Sequence, residues 1–448
     1  MAIGLNNSRV NLPESAVSHY PVLSFTANQT RSNVRTNLVS KEEKMKYRLL
    51  SKTVGKDARK MLNVMLKSGI LLNSNSNDNS TVLDNLYIMA LKPRAEGLNQ
   101  KVLLETTINA VANPYTITQL FGDIPLSYQG RALDLYKKSH KNYRPTNLID
   151  KKVADYNINI NHSGTCVAAS VEFNLAKQFP AEFVRFAEGL SSRNMSVNKT
   201  IKLNNLADNT LDAIWLLNAF EIPYKTDNFD KAELTFKPDS NAMFRAHIQT
   251  YERDPLERSV IDVLMQSTFM QVGSQQSYDT LTDKRKGKFN QNDKGLIEFE
   301  KTFTESVVED KNKISVTYQT VDENAKLVGY ETDFNTMKNQ IVHSLQMGDN
   351  VIIGYTQVDH NNIIINGHEI TIIGYKKDDR GKLIFICNDT DDNQTGPIEY
   401  HEDFLLPKIH HAALPHVVVE NDIKLVENWV EGLKNYKELK KHSTVKVM

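Results

Sequence analysis

The chain holds two cysteines, and one of them stands where a thiol can be made reactive. Cys166 follows Ser163-Gly164-Thr165 and opens CVAASVEFNLAKQF. In that run Val167, Ser170, Val171, Asn174 and Leu175 fall at helical offsets, and Pro180 ends it. The thiolate, not the thiol, is the nucleophile, and the oriented N–H groups of a helix N-terminus favour the anion. Gly164 would let the backbone turn sharply into the helix and keep the sulfur reachable. A thiol also needs a base. His368 sits in INGHEITIIGY, where alternation predicts His368, Ile370, Ile372 and Gly374 on one strand face, with Gly367 allowing close backbone approach. Histidine suits a thiol at neutral pH, and the ion pair they form keeps sulfur reactive. Ile372 stands where a HExxH zinc motif needs its second histidine, so the metal reading of this segment fails. After the turn DDRGK, the strand KLIFICN ends in Asn388-Asp389. Antiparallel pairing would bring that end near His368, where an amide or carboxylate oxygen can fix the imidazole tautomer. Register at the strand end favours Asn388, with Asp389 the alternative. Each residue alone also admits a plainer reading: an inert buried cysteine, a satisfied core histidine, a polar turn.

The combination and its order are more specific. Gly164-Thr165-Cys166 opening a helix, the strand His368-Glu-Ile-Thr-Ile-Ile-Gly-Tyr375 and then Ile386-Cys387-Asn388 together resemble the papain-like cysteine peptidases. The segment SLQMGDNVIIGYT ahead of His368 is similar to that family's stretch before its histidine. The resemblance covers about a third of the chain, in two separated blocks. It implies a Cys166–His368–Asn388 triad, with Asp389 as the alternative orienter, in an α+β papain-like fold: a helical half around the cysteine-bearing helix and an antiparallel β half. It also implies an oxyanion-hole amide about six residues before the cysteine. Ile160 holds that place, so Asn159 or Asn161 would supply the amide beside the Cys166 main-chain N–H. Val167 stands where the family carries tryptophan.

The implied reaction is cysteine-dependent hydrolysis of a peptide or isopeptide bond, with a protein or peptide substrate and no cofactor or metal. The same residues serve a deamidase, an acyltransferase or a deubiquitinase, and a papain-like scaffold without catalysis would serve binding.

The rest of the chain must position these groups. At 448 residues it exceeds the usual single-domain size. Residues 1–40 are rich in Asn, Ser and Thr and read as a polar tail. From a capping-box signature at Ser40 and Glu43, residues 41–145 read as a helical N-terminal region, either a propeptide or a recognition domain. Residues 146–420 form the expected catalytic domain, with helices at Ala181–Leu190, Asn209–Phe220, Ser259–Val272 and Met337–Leu345 before β-branched runs. Residues 421–448 read as an amphipathic helix and tail.

Lys+Arg and Asp+Glu are both 54, a balance without the basic excess that nucleic-acid or membrane-surface partners require. Two cysteines allow neither a disulfide framework nor a four-cysteine zinc site. His401, His410, His411 and His416 lack recognised ligand spacing, and Cys387 alternates away from Asn388 into packing. The N-terminus shows no cationic segment leading into an apolar run, and no run of about 18 apolar residues occurs. The expectation is a cytoplasmic protein, or one exported without a signal peptide.

Overall fold

The computed structural model describes residues 34–120, 163–226, 228–243, 245–246, 258–280, 283–285, 295–391, 396–419 and 422. Asn159, Asn161, the expected C-terminal helix and most of the predicted polar tail lie outside them.

Helix formation begins where Ser40 and Glu43 predict it. The Ser40 hydroxyl accepts from the Glu43 N–H at 3.0 Å, and the Glu43 carboxylate accepts from the Ser40 N–H at 3.0 Å. This reciprocal cap opens α1 (Lys41–Thr53), and the chain breaks at Val54 and Gly55 before α2 (Lys56–Ser68). The helices α3 (Val82–Leu91) and α4 (Gln100–Ala112) follow, capped by Thr81 and Asn99. The cysteine opens α5 (Cys166–Gln178), and Pro180 starts α6 (Pro180–Leu190), where its missing N–H has no helical partner to lose. Three further helices are α7 (Thr210–Ala219), α8 (Val260–Gly273) and α9 (Glu298–Glu309).

Every residue of α8 is buried, as are Val167 to Ala176 of α5, so these two helices form the middle of the helical half. One continuous core joins Leu50, Leu62, Leu86 and Leu104 of α1–α4 to Val167 and Val171 of α5 and to α6, α8 and α9. The N-terminal helices therefore share their apolar contacts with the cysteine-bearing helix. Burial of one such Leu or Val side chain supplies about 1.5–3 kcal/mol.

The small strands β1 (Val197–Lys202), β2 (Tyr224–Lys225) and β3 (Lys231–Phe236) form a sheet of order β1-β3-β2 beside α6. A short ribbon, β4 (Tyr278–Asp279) with β5 (Lys284–Arg285), precedes α9. It is tied to that helix by Arg285, which bonds Glu300 at 2.5 and 2.7 Å with both side chains fully buried.

The C-terminal half is a six-stranded antiparallel sheet. Its strands are β6 (Lys313–Thr317), β9 (Val351–Val358), β10 (Ile364–Lys377), β11 (Leu383–Asn388), β12 (Ile398–His401) and β13 (Ile409–Pro415). They run in the order β12-β11-β10-β9-β13-β6, and each pairs antiparallel with its neighbours. Lys313–Thr317 enters the large sheet, while β7 (Gln319–Val321) pairs with β8 (Leu327–Tyr330). A second core of Ile353, Ile370, Ile372, Phe385 and Cys387 packs beneath α10 (Phe334–Gln346). The short helices α11 (Glu402–Leu405) and α12 (His416–Val419) flank β13. The architecture is thus α+β: an N-terminal helical region, then helices and an antiparallel sheet. Among the described residues no helix is long and apolar enough to cross a membrane.

Candidate active site

Helix α5 carries no side-chain cap at its N-terminus. Thr165, the residue in that place, spends its hydroxyl elsewhere: it lies 2.5 Å from Ser163 Oγ and donates to Gln266 Oε1 at 3.0 Å. The first-turn N–H groups beside Cys166 are left without that side-chain acceptor, which preserves the positive end of the helix at the sulfur. Gly164 adopts no left-handed conformation. The turn is held by acceptors instead. The Gly164 N–H donates to Asp283 Oδ2 at 2.6 Å, and Asp283 Oδ1 accepts from the Tyr278 hydroxyl at 2.8 Å. Behind the loop, Gln266 Nε2 donates to the Thr118 carbonyl at 2.9 Å and to Glu172 Oε2 at 3.0 Å. Cys166 itself is half-buried.

His368 lies on β10 opposite Tyr355 of β9. Its Nε2 is 2.7 Å from Asp389 Oδ1, and the ring lines one cleft with Cys166, near enough for that side chain to favour its charged form. Burial of the ring opposes its charge, but the Asp389 carboxylate and Cys166 outweigh that cost and hold His368 well above the ordinary histidine range. Burial likewise opposes ionisation of Asp389, and His368 overcomes it to hold this carboxyl below its ordinary value. The two side chains are 14% and 15% exposed, so solvent screens the pair little. Gly367 is not a close-approach glycine: a Cβ there would meet nothing within 4 Å.

The sequence expectation of Asn388 as the imidazole partner is corrected by register. Asn388 stands opposite Thr371 in the β10–β11 ladder and is 3% exposed. Strand alternation turns the following residue to the other face, so the residue that reaches His368 is Asp389. Cys387 is fully buried in the sheet core, and burial pushes its thiol well up.

One residue of the site carries no sequence signal. Gln119, 2% exposed, is threaded between the loop before Cys166 and the segment after Asp389. Its N–H donates to the Thr390 carbonyl at 3.0 Å, and its carbonyl accepts from Ser163 Oγ at 2.6 Å. Its main chain therefore runs between these two segments, which spacing from the cysteine could not indicate. Thr118 Oγ1 also donates to Thr390 O, at 3.0 Å.

Beside Cys166 and His368 runs a cleft of about 450 Å³. Leu296, Ile297, Val321 and Ile364 form its apolar walls, and Glu298, Glu369, His410 and His411 also line it. Three polar pairs underlie it. Lys301 Nζ meets Glu369 Oε2 at 2.8 Å, His410 Nε2 meets Glu298 Oε1 at 2.9 Å, and His411 Nε2 contacts Ser315 Oγ. Burial, with Lys301 and His410 adding to it, holds His411 well below its ordinary value and therefore neutral. The late histidines do not converge, since His401 lies with Asp378 at 3.2 Å. Among the described residues no group of three His, Cys, Asp or Glu side chains could hold a metal ion.

No family model, curated protein or solved structure matches this chain.

Proposed function

We propose that this chain is a papain-like cysteine hydrolase acting on a peptide or isopeptide bond. The observation that carries the reading is Cys166 at an uncapped helix N-terminus, sharing one cleft with a His368 ring that is bonded to Asp389. His368 takes the proton of Cys166, and the thiolate attacks the substrate carbonyl carbon. The resulting oxyanion accepts from the Cys166 main-chain N–H and from the Gln119 amide, the second donor in this reading. Protonated His368 then gives its proton to the departing amine, leaving a thioester on Cys166. A water molecule, deprotonated by His368, attacks that thioester and releases the acid. Asp389 holds the imidazole in one orientation and stabilises it while charged.

Intact-mass analysis after brief exposure to a peptidyl-epoxide thiol reagent tests this. Wild type acquires one adduct, Cys166→Ala none, and His368→Ala forms it far more slowly. An adduct that forms equally fast in His368→Ala refutes activation by His368 and favours a binding scaffold.

A further inference from the structure

The cleft beside the sulfur is built like a receptacle for a long cationic side chain. Its apolar lining, Leu296, Ile297, Val321 and Ile364, suits a methylene stem, and the carboxyl groups of Glu298 and Glu369 share the same cleft. Lys301, fully buried, engages Oε2 of Glu369 only. Oε1 lies at the Gly354 face of the cleft, where a Cβ on residue 354 would come within 3.2 Å of it. Glycine there leaves that oxygen room. Burial pushes Glu369 up while Lys301 pulls the other way, so a second cation at Oε1 would favour its charged form. Glu298 stands at the start of α9, 31% exposed, with Oε1 against His410. Burial opposes its ionisation and the His410 hydrogen bond outweighs burial, which keeps it a carboxylate. Two carboxyl side chains thus line the cleft, Glu369 beside the Lys301 ammonium and Glu298 beside the His410 ring, and none of the described lining residues is lysine or arginine.

We infer that Glu369 and Glu298 form a specificity pocket that seats a lysine or arginine side chain of the substrate next to the attacked acyl carbon. This rests on Cys166 being the nucleophile. Lys301 is not among the described lining residues, and it pairs with Glu369.

The test needs no known substrate. Methanethiosulfonates modify a thiolate by forming a mixed disulfide and releasing methanesulfinate. The full chain is treated with the trimethylammonioethyl, sulfonatoethyl and methyl reagents, and the rate at Cys166 is followed by intact mass. Each rate is divided by that of a small free thiol. The expected cation-to-anion ratio in wild type is at least about tenfold, falling about fivefold or more in Glu298→Gln and in Glu369→Gln and persisting in Glu399→Gln on β12. A wild-type ratio at or below one overturns the pocket, as does a ratio that neither cleft variant lowers. Because the wild-type ratio decides by itself, poor folding of a variant does not rescue the inference. The neutral reagent separates the two readings: its rate in wild type against His368→Ala reports thiol activation, whereas the charge ratio reports the pocket.

Discussion

Replacing Asp389 by Asn keeps the shape of the side chain and removes the charge 2.7 Å from His368 Nε2. Hydrogen bonds to charged groups contribute about 1.5–3 kcal/mol, and the low exposure of both partners places this pair within that range. At 1.36 kcal/mol per unit, the His368 value should fall by about one to two units. The equilibrium that moves the proton from Cys166 to His368 then shifts toward the neutral pair by about ten- to hundredfold. The rate of chloroacetamide alkylation at Cys166, measured by intact mass from about pH 4 to about pH 10, reports that equilibrium. Asp389→Asn should lower the rate on the neutral shoulder by up to about ten- to hundredfold, because the neutral pair displaces the ion pair there.

Stability follows with a defined sign. A raised folded value for His368 means stabilisation present below the ordinary histidine value and lost as pH rises through the raised one. A lowered value for Asp389 means stabilisation present above the ordinary aspartate value and lost as pH falls through the lowered one. The penalty of Asp389→Asn should therefore be greatest around pH 5–6 and shrink on both sides, as read by denaturant unfolding. The reasoning is refuted if the shoulder rate of Asp389→Asn lies within about twofold of wild type, or if Asn388→Ala lowers it as far.

Two further outcomes test the surroundings of the pair. Gln119→Ala should reduce turnover of an acyl substrate by about 10²–10³ while leaving alkylation of Cys166 unchanged, because an oxyanion donor acts only once the tetrahedral centre forms; equal losses in both would assign Gln119 a structural role instead. Leu86→Ala on α3 should cost about 2–5 kcal/mol and lower a single melting transition that includes the Cys166 helix, whereas a separate transition confined to the N-terminal helices would show that they fold alone.

Much of this molecule is written in local chemistry. The cap pair at Ser40 and Glu43, the offsets after Cys166 and the β-branched runs around His368 are each decided within about a dozen residues, so α1, α5 and β10 stand where their spacing places them. The choice between Asn388 and Asp389 was not local. It turns on one residue of register against Thr371, and with a side-chain period of two, a slip of one exchanges the partner of His368. Lys313–Thr317 shows the same limit, because its partner, Ile409–Pro415, lies almost a hundred residues on, and Ser315 and His411 are 96 positions apart in the chain.

The polar residues that complete the site were harder still to read. Gln119 reaches the loop through main-chain bonds to Ser163 and Thr390, and a main-chain bond leaves no mark on residue type. Lys301 and Glu369 look like ordinary surface charges in sequence, and only burial of the lysine makes their pairing a requirement, since removing one partner leaves an uncompensated charge in the interior. The proposed nucleophile and base therefore announce themselves by type and order, while the groups proposed to tune and select around them are defined by tertiary contacts that bring distant segments together. That division directs mutagenesis away from the motif and toward Gln119, Glu298 and Glu369, where substitution tests a role that spacing could not have proposed.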